Sequence, residues 1–402
     1  MLGVVIRIAQ RMGIHSESAL ARCTPLEGEM RRRLWWSLVL FDSRTNELAD
    51  FKTTALAPTW DCQIPLNVSD SELLPKMKEL PRVQRSSTDA LFAVVHSELG
   101  DFIRNTTFYL GFTNPALKPL AKYANSGAIS ADSELDHLEH KIEDEYLKFC
   151  DPENPLHFMT IWMTRGWLAK YRVMEYHSKY SSTTPQTEYQ HHTAVSYALK
   201  MLEYDTKIVT SPLTKGFTWL VQFYFPFPAY ILIVQYLKRR PACDQADYAW
   251  KIMSENYDAH FGAPVRDFHV HIFKLFSSVI LQAWEAREAA IRESGESLAM
   301  PKIVIDIKRI LDQTERSALN TEPEQRSDDT DMGVDNFPMS MPMGIGNHNR
   351  QYSMGGQDGY IPTVPEIYSN MNGLNLIDFG PSQLDWPAVD WGMGGYPSWG
   401  GW

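Results

Sequence analysis

Over roughly the first 315 residues, apolar side chains recur every three or four positions, segment after segment, and strand-like alternation is scarce. Helices that bury one face show that period. The spacing therefore predicts an all-α fold, a large multi-helix domain over residues 1–315. Residues 1–12 place Leu2, Val5, Ala9 and Met12 on one face, and Gly13 follows as a helix stop. Thr24 is a good N-cap before Pro25, and Glu27 stands three residues on in capping-box spacing. Leu34, Leu38 and Phe41 form the expected stripe of the next helix. Pro58, Pro65, Pro75 and Pro81 then predict a loop with short pieces over 50–82. Residues 88–105 align Leu91, Val94, Val95, Leu99 and Phe102, and residues 133–149 align Leu135, Leu138, Ile142 and Tyr146. Residues 156–177, 191–210 and 267–292 continue the pattern, the last through Ile272, Leu275, Phe276, Val279, Ala283 and Ala286.

One segment invites another reading. Phe217 to Leu237 carries no charge and is followed by Lys238-Arg239-Arg240, as a membrane span can be. Pro226 and Pro228 fall at its midpoint, Gln222 and Gln235 lie within it, and no second span exists. Two short buried helices broken by the prolines explain it better, with the basic triplet closing a helix C-terminus. No membrane association is expected.

Near residue 320 the periodicity stops. Residues 316–402 are rich in Gly, Pro, Met, Asn, Asp and Ser and lack the apolar content that offsets chain entropy, so a disordered C-terminal tail is expected. Its end, about 374–402, alternates Asp378, Asp385 and Asp390 with Leu376, Ile377, Phe379, Leu384, Trp386 and Trp391. Carboxylates that keep large apolar groups exposed suit a segment that binds coactivators. Composition alone supports equally a low-complexity tail without a role.

Charge and cysteines exclude more than they select. The net charge is −11, which opposes a free-standing DNA reader, because phosphate binding needs a basic face. The four cysteines, Cys23, Cys62, Cys150 and Cys243, are scattered with no C-x-x-C pair, so zinc and iron–sulfur scaffolds do not fit. Reduced thiols inside the cell follow, since no clear signal peptide is present. There is no phosphate loop, nucleophile elbow or H-E-x-x-H. His137 and His140 share a helix face beside Asp136 and Glu139, a spacing metals can use, but solvated side chains explain it better. No catalytic residue, cofactor or metal ligand is assigned, and no enzyme is expected.

The densest basic run is Arg31-Arg32-Arg33, followed by Trp35 and Trp36. A nucleic-acid or nuclear-import patch is one reading. The better one pairs Glu27 and Glu29 with Arg31 and Arg33 one turn on, with an arginine stacked on an indole.

At this point the chain resembles the regulatory region, or middle homology domain, of fungal-specific transcription factors of the zinc-cluster family. The pattern is Gly13-Ile14-His15, Pro25 with Glu29, Arg31-Arg32-Arg33-Leu34-Trp35-Trp36 and Asp42, supported by Ile64-Pro65 and by residues 146–173. The family signature is thus Gly13, His15, Glu29, Arg31, Arg32, Arg33, Trp35, Trp36 and Asp42. The resemblance covers most of residues 1–300. Family members bind zinc through six closely spaced cysteines, and that cluster is missing here. Met1 falls inside the regulatory region, so the chain is expected to be a factor that lost its cluster, a misplaced start or a regulator acting through a partner.

The resemblance implies a nuclear regulator of RNA polymerase II transcription, in a metabolic or secondary-metabolite pathway. Coactivators would meet the tail, DNA would be reached only indirectly or through a missing N-terminal region, and a homodimer or a heterodimer with a zinc-cluster factor is implied. The alternative is a small-molecule sensor or a dominant-negative dimerisation partner of a full-length factor.

Overall fold

Twelve α-helices and no strand carry the described residues of the computed structural model, which are 2–49, 56, 59–84, 86–106, 131–180, 188–262, 267–294 and 298–319. In chain order they are α1 (Leu2–Arg11), α2 (Glu17–Leu20), α3 (Pro25–Ala49), α4 (Leu91–Asn105), α5 (Ala131–Glu145) and α6 (Pro155–Tyr180). Then follow α7 (Glu188–Thr210), α8 (Thr218–Phe223), α9 (Phe227–Arg239), α10 (Ala246–Phe261), α11 (Asp267–Ser294) and α12 (Lys302–Leu319). The all-α reading holds for these residues. The expected tail and its coactivator-binding residues Leu376, Ile377, Phe379, Leu384, Trp386 and Trp391 lie outside them.

Local signals place the helix ends. Gly13 terminates α1 at φ 72°, a left-handed conformation that costs glycine little. A Cβ there would come within 2.9 Å of Ala19 Cβ. The Thr24 hydroxyl accepts from Glu27 N–H at 3.3 Å, while the Glu27 carboxylate turns forward to Arg31 instead of completing a capping box. The Asn154 side chain caps α6 by accepting from Leu156 N–H and His157 N–H. The uncharged stretch resolves into α8 and α9 about Pro226, and no helix among the described residues is long and apolar enough to cross a membrane. Lys238 and Arg239 sit in the last turn of α9.

Contacts gather Met1–Ile310 into one unit, and the described part of a second, Leu311–Gly380, is the end of α12. In the first unit, α6 and α7 run against each other, α7 also meets α9 and α10, α9 meets α11, and α4 joins α3 to α6. One core combines α1, α3 and the segment after α3 through Ile6, Trp35, Trp36, Val39 and Leu56. A second joins α4, α5 and α6 through Leu99, Leu135, Ile142 and Leu168. Gly100 lets α4 approach α3 closely, since a Cβ there would lie 3.1 Å from Leu40.

Three apolar stripes differ from the sequence reading. In α1 the buried residues are Ile6 and Ala9, with Leu2 packed beside them, while Val5 and Met12 stand exposed. Apolar residues occupy so wide an arc of this helix that periodicity alone admits either face. In α3 the indoles of Trp35 and Trp36 take the core with Leu38 and Val39, leaving Leu34 and Phe41 outside. Indoles bury the larger area and set the rotation of the helix. In α11 the buried apolar positions among the described side chains are Ile280, Ala283, Trp284 and Ile291, with Val279 and Ala286 half-buried. Trp284 directs this face by packing edge-on against Trp250 of α10, centroids 5.4 Å apart. The side chains of Ile272, Leu275 and Phe276 lie outside the description.

Candidate functional site

The signature residues come together around α3, where they clamp the irregular segment that follows it. The helix presents Glu29, Arg32 and Arg33 on one side, one turn apart. The Glu29 carboxylate is fully buried, accepts from Arg33 Nε at 3.2 Å and from Leu66 N–H at 3.0 Å, and lies 3.7 Å from Arg32. Burial pushes its pKa up, against the lowering effect of the Leu66 amide and the two arginines. Arg32 reaches across to Glu17 of α2 through Nε and Nη2, and Glu17 accepts in turn from Gln63 N–H at 3.1 Å. Arg33 Nη1 meets Asp70 at 2.6 Å. Arg31 points outward to Glu27 at 2.6 Å. The triplet is therefore committed to carboxylates on its own helix, on α2 and on the loop, as the structural reading of the sequence expects.

The aromatic half of the signature forms a second layer. Trp36 Nε1 donates to Gln63 carbonyl at 2.9 Å. Trp60 comes back from the loop and stands edge-on to Trp35 at 5.6 Å and to Trp36 at 6.2 Å. His15 leans on Trp35, centroids 5.6 Å apart. In this layer the arginine that lies over an indole is Arg104 of α4, 5.3 Å above Trp60, and not a member of the triplet, whose guanidiniums are engaged by carboxylates.

Asp42 closes the clamp. It accepts from Arg104 Nη2 at 3.0 Å and from Leu56 N–H at 3.3 Å, both groups buried. Arg104 also donates to Ser43 Oγ and to the carbonyls of Val39 and Leu56. Sequence reasoning missed Arg104 and Trp60. A basic residue directly after the apolar pair Phe102-Ile103, on a buried helix face, was the available signal for a buried ion pair.

Two residues beyond Asp42, Arg44 extends the network. It donates to the carbonyls of Phe223 and Phe225 at 2.7 and 3.2 Å, holding the joint between α8 and α9. Arg44 also borders a cavity of about 60 Å³ lined by Trp162, Trp167, Tyr224 and Phe225 together with Lys170 and Asp205. That volume lies far below the roughly 300–1,000 Å³ of small-molecule sites. Asp205 is tied to His260 at 2.6 Å and to Asn256 at 2.7 Å, and Tyr230 hydroxyl completes the chain at 2.8 Å from Asn256.

The remaining sequence candidates fall apart spatially. His140 sits on α5 with its ring bonded to Asp136 carbonyl, and the Asp136 and Glu139 carboxylates pair with Arg172 of α6. Among the described residues no group of three or more His, Cys, Asp or Glu side chains could hold a metal ion. All four cysteines are free thiols. Chemically the assembled signature is a scaffold: it fixes backbone amides and carbonyls, and it aligns no nucleophile with a base.

No protein-family model matches the chain, and no solved structure does. The chain is similar to "Transcriptional regulator AacuB" of Aspergillus aculeatus, 44% identical over 398 residues, covering 97% of this chain and 53% of that protein. It is 42% identical to "Transcriptional regulator nsrM" of Aspergillus novofumigatus, covering 97% of this chain and 53% of that protein. It is 26% identical to "Aurofusarin cluster transcription factor aurR2" of Gibberella zeae, covering 96% and 58%. The chain thus spans about half the length of the curated relatives it matches. These relatives are transcriptional regulators and not enzymes, in agreement with the sequence reading.

Proposed function

Homology to fungal transcriptional regulators along nearly the whole chain is the premise from which we propose that it is the regulatory part of such a factor. Residues 1–315 serve as the helical regulatory (middle homology) domain. Residues about 374–402 serve as an activation segment that meets coactivators through Leu376, Ile377, Phe379, Leu384, Trp386 and Trp391. The chain acts in the nucleus on RNA polymerase II transcription, and DNA is reached through a partner or through chain of the kind the longer relatives carry. A biosynthetic gene set is the target class, since the Gibberella zeae relative is named for the aurofusarin cluster.

The observation that carries this reading is the 97% coverage by regulators at 44% and 42% identity. The commitment of Arg31, Arg32 and Arg33 to carboxylates supports it. Those cations hold the fold and are not spread on a face for phosphates. The test fuses residues 370–402 to a foreign DNA-binding domain in a reporter strain. Activation lost on Trp386→Ala with Trp391→Ala is expected, and absence of activation overturns the activating role.

A further inference from the structure

After α3 the chain departs at Asn67 and returns to it at Gln84, so that residues 68–83 form a compact Ω-shaped loop. Its neck is stapled. Gln84 N–H donates to the Asn67 carbonyl at 3.0 Å, and the buried Asn67 amide donates to the Gln84 and Ser86 carbonyls at 2.9 and 3.0 Å. Thr88 Oγ1 donates to Asn67 Oδ1 at 2.6 Å, and Gln84 Nε2 donates to Glu72 at 2.6 Å. Asp70 is tied to Arg33 of α3 at 2.6 Å, so the arginine block is also the pedestal of this loop. Val68 and Leu73 are its buried anchors.

Beyond Leu73 the chemistry reverses. Leu74 at 60%, Leu80 at 39% and Val83 at 59% stand exposed. Lys76, Lys78 and Arg82 are exposed among them, and none of these three side chains is in an ion pair or hydrogen bond among the described residues. Glu79 is the one carboxylate of residues 74–83, on a chain whose net charge is −11. Three large apolar side chains left in water add nothing to folding. Pro75 and Pro81 narrow the backbone freedom of the tip, which lowers the cost of ordering it on a partner.

We propose that this tip, residues 74–83, is the docking surface for an acidic, amphipathic segment of a partner protein. Charge and apolar area select that occupant together. Carboxylates of the partner meet Lys76, Lys78 and Arg82, and its large apolar side chains cover Leu74, Leu80 and Val83. A nucleic-acid backbone would use the cations and leave the aliphatic groups in water. A second copy of the loop would set like charges against one another. The inference does not depend on the activating role given to the tail.

The test selects random peptides displayed on phage against the purified full chain, with counter-selection on the same chain carrying Lys78→Glu and Arg82→Glu. Enriched peptides are expected to place Asp or Glu among Leu, Phe or Trp. Their affinity should fall roughly tenfold on Lys78→Glu with Arg82→Glu, on Leu80→Ser with Val83→Ser, and on replacing the acids of the peptide by amides. The substituted side chains are exposed, and an unchanged denaturation midpoint shows that each variant keeps the fold. Absence of loop-dependent enrichment, or enrichment of basic or uncharged peptides, overturns the proposal. So does loop-dependent binding of duplex DNA in place of peptides. The photo-crosslinker p-benzoylphenylalanine in place of Leu80, in isotopically light and heavy chain mixed before illumination, separates the remaining occupants. A link to residues 316–402 of the same chain would make the occupant the chain's own, a link to another copy would make the tip a dimer contact, and either overturns the proposal.

Discussion

Arg104 and Asp42 meet at 3.0 Å with almost no exposure to solvent, and their contact joins α3 to α4. The same guanidinium serves the Val39 and Leu56 carbonyls, so one side chain ties two helices to the segment between them. Removing one partner of a buried pair strands the other's charge. Asp42→Ala is expected to cost about 3–5 kcal/mol, read as a lowered denaturation midpoint. An unchanged midpoint would show that Arg104 is held by its carbonyl and hydroxyl acceptors alone.

The two carboxylates that Arg32 approaches respond to acid in opposite senses. Burial works to raise Glu17, but the hydrogen bonds from Arg32 and from Gln63 N–H outweigh it, and its pKa is lowered from 4.5. Its contribution to stability is therefore complete above 4.5 and lost as pH falls through the lowered folded value. Glu29 is raised, chiefly by burial, so its contribution is greatest in acid and declines as pH rises through its raised value. Glu17→Gln should flatten the loss of stability as pH falls below 4.5. Parallel acid limbs for variant and parent would contradict this.

Burial, aided by Glu17 and Asp61, pushes the Cys62 thiol up to about 12, and burial pushes Cys150 up to about 11. At pH 8 the Cys62 thiolate fraction is then about one part in 10⁴, and only the thiolate attacks an alkylating reagent. Mass spectrometry after brief iodoacetamide treatment of the native chain should find the partly exposed Cys23 modified ahead of Cys62. Equal labelling at both would mean that the segment over Cys62 opens readily.

Asn256 is fully buried and its amide bridges α10 to α7, donating to Leu202 carbonyl, Asp205 and Thr206 while accepting from Tyr230. Asn256→Ala removes one partner from each of Asp205, which keeps His260, and Tyr230, which keeps the Met253 carbonyl, and it takes the amide donor from the Leu202 carbonyl. A loss of about 2–3 kcal/mol is expected, measured by chemical denaturation. A change below about 0.5 kcal/mol would place the network among surface-like contacts.

Much of the fold was legible because helix ends are set locally. Gly13, Thr24 with Pro25, and Pro226 with Pro228 each act through their own backbone, and each stands where its chemistry requires. The α4 stripe was legible for the same reason, since Leu91, Val94, Val95, Leu99 and Phe102 leave one face to bury. What periodicity could not resolve is which of two apolar arcs is used. Ile6 over Val5, and Trp35 with Trp36 over Leu34 and Phe41, were decided by partners distant in sequence. In the signature, the pairs Glu27–Arg31 and Glu29–Arg33 follow from helical spacing. The pairings of Arg32 with Glu17 and of Asp42 with Arg104 close over 15 and 62 residues, and no local rule reaches that far.

The central claim is that this arginine–tryptophan block builds a regulatory scaffold and does not read DNA. A mobility-shift selection of the purified chain against random duplexes at physiological salt tests it most directly. The account predicts that no sequence is enriched. Enrichment of a defined sequence, abolished by Arg31→Gln with Arg33→Gln in a variant that remains folded, would contradict it.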